Sequence, residues 1–549
     1  MSRYLILLVA VLCVLNACNS SKMKVDLIVS DAIIYTVDNS FSTAESFAVK
    51  DGKFIAVGTT PEILAKYTSD QVWDCKGKPI YPGFIDAHCH FYGYGMDLMQ
   101  YAILDGLTAP ENIYNKLLEH RQKLTSSWVL GRGWDQNLWP EKSFPDNKRL
   151  NEIFPDVPVY LVRVDGHAAW CNAKALELAG VKAETKVDGG EIILKNGKPT
   201  GVLIDNAMSL VFNHIPTPGN SLKTRALLEA QQNCFGVGLT SVTDCGLPKE
   251  TILLIDSLQK KGALLMQINA MMDPSKENMD YFLKNGPYHT DRLQVRSIKL
   301  YADGALGSRG AYLLEDYSDQ PGHKGLLINS EAYFDDICQK AYDAGFQVAT
   351  HCIGDGANRF VLNIYGKYLK GKNDKRWRIE HAQVVNSADF NLFGKYAVIP
   401  SVQATHATSD MLWADERLGS ERIKGAYAYK QLLDQNGWLP NGTDFPIEDI
   451  SPLKTFYASV VRKNLDGQPA GGFQMENALS REEALKSITL WAAKAGFQET
   501  KAGSIEAGKN ADFVVVDTDL MKCSDDAILK AKVLKTVLGG FTVFDSEKK

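Results

Sequence analysis

The chain is predicted to be an α/β protein: a (β/α)8 TIM barrel with a small β-sandwich domain built from both chain ends and an insertion after the first barrel strand. Three observations predict it. From residue 82 onward, apolar strand-like segments alternate with helical stretches, the pattern that yields parallel sheets. Both ends of the chain carry short strands separated by turn residues instead. Between residues about 101 and 220 runs a stretch too long for a single crossover.

In chain order, residues 1–17 are an address rather than part of the fold. Arg3 precedes an apolar run over 4–15, and Leu15-Asn16-Ala17-Cys18 follows. The run is short for a membrane span and suits a secretory signal. The tetrapeptide resembles a bacterial lipoprotein box, which implies cleavage before Cys18, lipidation of its thiol and a membrane-anchored place in the bacterial cell envelope, at the periplasm or outer membrane. An uncleaved N-terminal anchor is the alternative. Residues 18–23 read as a tether.

Residues 24–81 carry strand-like segments at 25–29, 32–37, 46–49 and 54–57, with Asp51-Gly52 as a hairpin turn. Residues 500–549 return to the same texture, with strands at 533–538 and 541–544. Sheet edges left open at one terminus are closed by strands from the other, so the two ends are expected to form one composite sandwich.

The barrel is expected over 82–499, with strands at 83–88, 240–244, 267–271, 297–301, 347–351, 377–381, 397–402 and 439–444. The segment about 101–220 is read as a cap or subdomain. Ser480-Arg-Glu-Glu483 has the form of a capping box and opens a helix expected over 484–496.

A formal net charge of −5 on 549 residues, with no long block of like charge, argues against nucleic acid as a partner. The cysteines beyond Cys18 are scattered without a Cys-x-x-Cys pair, which points to buried thiols rather than a disulfide framework.

The chemistry starts at Tyr81-Pro-Gly-Phe-Ile-Asp-Ala-His-Cys-His90. Alternate residues of a strand share a face, so His88 and His90 point together, with Asp86 on the same side. Two converging neutral imidazoles suit a divalent metal. His351, His381 and Asp444 each close a predicted barrel strand, and strand tips of one barrel converge on one axis. Alternation places Lys299, Tyr301 and Asp303 on one face. A buried ammonium beside metal ions is disfavoured; carboxylation by carbon dioxide would turn Lys299 into an anionic bridge, and the alternative is an ion pair with Asp303 or Asp444.

Together these segments resemble the amidohydrolase superfamily. Gly131-Arg-Gly-Trp-Asp135, Arg163-Val-Asp-Gly-His167, 299–309, His351-Cys-Ile-Gly-Asp355 and 503–512 are similar to its amidohydrolase-3 branch, which includes N-substituted formamide deformylases. The resemblance implies His88, His90 and Asp444 on one divalent metal, zinc first, His351 and His381 on a second where two are bound, and carboxylated Lys299 as the bridge. It implies hydrolysis of an amide-type, non-peptide carbon–nitrogen bond of a small molecule by metal-activated water, with Asp444 as proton shuttle.

A lactonase, an esterase or a phosphotriester hydrolase would share the ligands, and a non-catalytic binding lipoprotein would share the scaffold. Outside the ligands, His167 is expected to contact the reacting carbonyl, and Arg309, His406 and Trp134 the substrate, each with a structural role as its alternative. Trp139 and Trp170 are read equally as core or as pocket wall. The expected partners are a small-molecule substrate, the membrane through the lipid on Cys18, and a second copy of the chain in a homodimer.

Overall fold

The computed structural model describes residues 22–123 and 127–548. The signal peptide expected over 1–17 and the lipidation site Cys18 lie outside the described residues.

Seven parallel strands form the barrel sheet in sequential order: β1 (Phe84–Cys89), β2 (Leu239–Leu247), β3 (Gln267–Met272), β4 (Leu293–Tyr301), β5 (Gln347–Cys352), β6 (Arg378–His381) and β7 (Ile399–Ser401). Their side chains are almost wholly buried, as expected of apolar strands covered by helices on the outside and packed side chains within.

The eighth segment differs from expectation. Residues 439–444 form no ladder, only a bridge between Val402 and Asn441. They still close the barrel, because Gly442 N donates to Val402 O at 3.0 Å on one side and Asp444 N donates to His88 O at 2.7 Å on the other. Three local features explain the missing ladder. Pro440 has no N–H to give, Gly442 lies so close to β1 that a Cβ would stand 2.4 Å from His88 N, and Asp444 is left-handed at φ 61°.

The helix expected over 484–496 is broken in two, Arg481–Ser487 and Leu490–Ala495. The first has the expected capping box, Ser480 with Glu483. The break at Thr489 frees carbonyls for the barrel floor: Ile85 N donates to Ile488 O at 2.8 Å and Asn441 N to Ser487 O at 3.0 Å.

Both chain ends build the sandwich. A four-stranded sheet contains Lys53–Gly58, Ser46–Lys50, Leu27–Ser30 and Val72–Asp74, and a six-stranded sheet pairs Phe513–Val516 with Pro79–Pro82 and with Val533–Leu538. Phe47 packs edge-on against Phe54 and Phe513, with ring centroids 5.0 and 4.9 Å apart, which ties N- and C-terminal strands into one core. The insertion carries its own six-stranded sheet, from Ala102–Ile103 to Lys198–Asp205, around Trp134, Trp139 and Trp170. All eight cysteines among the described residues are thiols, six of them buried.

Candidate metal centre and substrate cavity

The C-terminal ends of the barrel strands bring His88, His90, Lys299, His351 and His381 together with Asp444 from the closing segment. Ligand atoms of His88, His381 and Asp444 all lie within 4.8 Å of one another. Asp444 Oδ1 stands 3.3 Å from His88 Nε2 and 3.2 Å from His90 Nε2. His351 joins through His381, ring centroids 4.5 Å apart, and Lys299 Nζ lies 3.2 Å from His88 Nε2.

The donor set fits a divalent cation. His381 Nδ1 and Asp444 Oδ1 are buried without a hydrogen-bond partner, and nitrogen and carboxylate donors aimed at one point are what such an ion takes up. His381 and Asp444 are both non-glycine residues at positive φ, 72° and 61°; backbone strain of this kind persists where the surroundings hold a functional geometry in place. Among the described residues Lys299 forms no salt bridge, so the alternative pairing with Asp303 or Asp444 does not occur. Asp303 instead accepts from the backbone N–H groups of Ile353, Gly354 and Tyr312.

An outer layer fixes the imidazoles. His88 Nδ1 meets Glu380 Oε2 at 2.5 Å, and Arg378 Nε meets the other Glu380 oxygen at 2.6 Å. Burial would raise the Glu380 carboxyl, but Arg378 and His88 hold it down at about 2. His90 Nδ1 faces Cys245 O at 3.2 Å. Asp86 is no ligand: it accepts from Thr443 Oγ1 at 2.7 Å and from His88 N at 3.0 Å, which ties the closing segment to β1.

A cavity of about 520 Å3 opens above the cluster. His167 reaches its wall from the insertion, its Nδ1 held 2.7 Å from Asp205 Oδ1 and its ring 4.8 Å from that of His351. Burial disfavours the His167 cation, but Asp205 and Asp165 outweigh this and raise its pKa. His406 lies between two carboxylates, Nε2 3.4 Å from Asp444 Oδ2 and Nδ1 3.1 Å from Glu448 Oε1. Against the cost of burial, they lift it to about 10. Arg163, inside the wall, is neutralised by Asp135 and Asp165.

A model of the amidohydrolase family matches residues 71–544 of this fold and site. The chain belongs to the amidohydrolase family. It is 32% identical over 542 residues to Protein LONG AFTER FAR-RED 3 of Arabidopsis thaliana, covering 94% of this chain and 91% of that one. It is 27% identical over 547 residues to an N-substituted formamide deformylase of Arthrobacter pascens, covering 94% and 97%. Among solved structures, an uncharacterized metal-dependent hydrolase from Pyrococcus horikoshii OT3 superposes with a TM-score of 0.74 at 27% identity, covering 91% of this chain and 99% of that one.

Two residues expected at the substrate of this amidohydrolase lie elsewhere. Arg309 is not on the cavity wall; its guanidinium grips Asp319, Nη2 to Oδ2 at 2.7 Å. Trp134 is fully buried in the insertion core, its Nε1 donating to Leu161 O at 2.8 Å and its ring packed on Trp139 and Trp170. The aromatics on the wall include Trp413 and Tyr301.

Sequence reasoning missed Glu380 and Arg378. Strand alternation sends Glu380 away from the side His381 takes, and the left-handed turn at His381 cancels that rule. The available signal was the charge pattern Arg378-Ile-Glu380 inside an otherwise buried strand, where paired charges need a reason.

Proposed function

We propose that this protein is a metal-dependent hydrolase that cleaves an amide-type, non-peptide carbon–nitrogen bond of a small molecule. The observation that carries this reading is the convergence of His88, His381 and Asp444 beneath one cavity, which His381 and Asp444 line, with Lys299 buried against His88. The name of the formamide deformylase relative, to which the chain is 27% identical over 547 residues, supports the choice of bond.

His88, His90, Asp444, His351, His381 and a carboxylated Lys299 would hold one or two divalent ions, zinc first, since imidazole and carboxylate donors suit it. Such an ion supplies Lewis acidity and makes a nucleophile of water near neutral pH.

The chain's own groups do the rest. Asp444 Oδ1 faces the cluster and takes the proton of the attacking water, while His406 holds Oδ2 and keeps the carboxylate from rotating away. The same oxygen then returns the proton to the departing nitrogen. His167, fixed at Nδ1 by Asp205, presents Nε2 to the cavity as a donor for the carbonyl oxygen as charge builds on it. Glu380 and Arg378 keep the ring of His88 oriented.

A lipid on Cys18, with the body outside the cytoplasmic membrane, completes the proposal; labelling with a radioactive fatty acid in wild type and Cys18→Ala tests it. The reaction is tested by offering metal-loaded protein N-formyl compounds, N-acyl amino acids and cyclic amides, with lactones and phosphotriesters alongside. Amide turnover that disappears in Asp444→Asn is expected. Turnover confined to lactones or phosphotriesters, or equal in Asp444→Asn, contradicts the proposal.

A further inference from the structure

A second cavity, of about 260 Å3, lies where the barrel meets the sandwich and shares no lining residue with the catalytic one. Its walls come from the start of β4 (Gln294 and Arg296), from the short strand Tyr288–His289 that pairs with β4, and from the loop after helix Leu490–Ala495, which supplies Phe497 and Lys501. Asn510, just before the sandwich strand Phe513–Val516, completes it.

The counter-ions here are unevenly shared. Arg296 and Arg376 both lie over the ring of Phe497, their guanidinium carbons 3.9 and 4.4 Å from its centroid. Arg376 has counter-ions, Asp374 at 2.7 Å and Glu499 at 2.8 Å. Arg296 has none among the described residues, and its Nε is buried without a hydrogen-bond partner. Burial disfavours its charge and the neighbouring Arg376 disfavours it further, only partly offset by Asp374 and Glu499, which pair with Arg376 and not with Arg296; a guanidinium nonetheless does not shed its proton in a protein. Lys501 forms no salt bridge either, and Asp291, the acid on the lining, is exposed.

Phe497, which carries Arg296, is held at φ 58°, a conformation unfavourable for a bulky side chain. A strained aromatic platform bearing an unpaired planar cation at the edge of a cavity is a frame for an oxyanion, which a guanidinium grips through two parallel hydrogen bonds.

We propose that this cavity binds a small anion through a carboxylate or phosphate group, with Arg296 as the fork, Lys501 as the second cation and Phe497 as the platform. A ligand here touches both the barrel strands and the loop that leads into the sandwich, so it ties the two together at the face opposite the catalytic one.

Isothermal titration of the full, metal-loaded chain with inorganic phosphate and, separately, with succinate at constant ionic strength tests this, and whichever anion binds more tightly identifies the headgroup. The expected result is binding that Arg296→Gln weakens about tenfold or more, that Lys501→Gln also weakens, and that survives in His381→Ala. If Arg296→Gln does not fold, Lys501→Gln decides alone, since Lys501 is exposed and dispensable for packing. No binding of either anion by the wild type, binding unchanged by the cavity substitutions, or binding lost in His381→Ala overturns the proposal, the last because it places the anion in the catalytic cavity.

Discussion

Nδ1 of His88 lies 2.5 Å from Oε2 of Glu380, and neither side chain has any exposure to solvent. This pair settles which nitrogen of His88 is left for the cluster. With Nδ1 engaged, Nε2 is the one turned to Asp444 and Lys299.

Glu380→Gln is therefore expected to weaken divalent-metal affinity by about 10–100-fold while the fold persists, because the amide retains the shape but loses the charge that complements Arg378 and His88. Competition with a chelator measures it. Unchanged affinity would show that His88 is oriented by packing alone.

His167→Ala removes a group that faces the cavity from the insertion. Turnover should fall by about 100-fold or more, with metal content equal to wild type. Loss of metal in this variant would make His167 a ligand or a prop of the cluster.

Gly442→Ala places a methyl group 2.4 Å from His88 N, at backbone that cannot yield without opening the barrel seam. A destabilisation of about 1–3 kcal/mol is expected, read as a lowered Tm with reduced metal uptake, since Asp444 rides on the same segment. A wild-type Tm would show that β1 and the closing segment separate freely.

Asp244 is buried within β2, and burial lifts its carboxyl to about 7, against the lowering effect of the backbone N–H groups of Tyr92 and Phe91. The folded state thus holds a proton that the unfolded chain has already released. Its contribution to stability is present below the unfolded value and lost as pH rises toward about 7. Asp244→Asn keeps an oxygen for Tyr92 N and removes the titration, so the variant should gain on the wild type as pH rises through that window. Denaturant melts at about pH 4 and about pH 8 compare the two; a constant difference would show that Asp244 ionises normally.

Much of this architecture was legible because barrel strands are short apolar runs ending in polar residues, and six of the chemistry-bearing residues sit at those ends or one pleat behind. The eighth segment was placed correctly but misread as a strand, since Pro440, Gly442 and the positive φ of Asp444 trade ladder hydrogen bonds for a close approach to β1. Arg309 and Trp134 were drawn toward the substrate by their neighbours in sequence. Asp319 and the Trp139–Trp170 core, both settled by tertiary contacts, claim them instead. Glu380 was hidden by one left-handed residue, which no alternation rule anticipates.

The most direct test of the central claim is the metal content of the purified protein, joined to an anomalous-scattering map at the metal's absorption edge. The account predicts about one or two equivalents of a divalent ion per chain, with density lying between His88, His381 and Asp444. A chain that takes up no ion after metal-supplemented expression, or one whose ion lies away from these three residues, would contradict it.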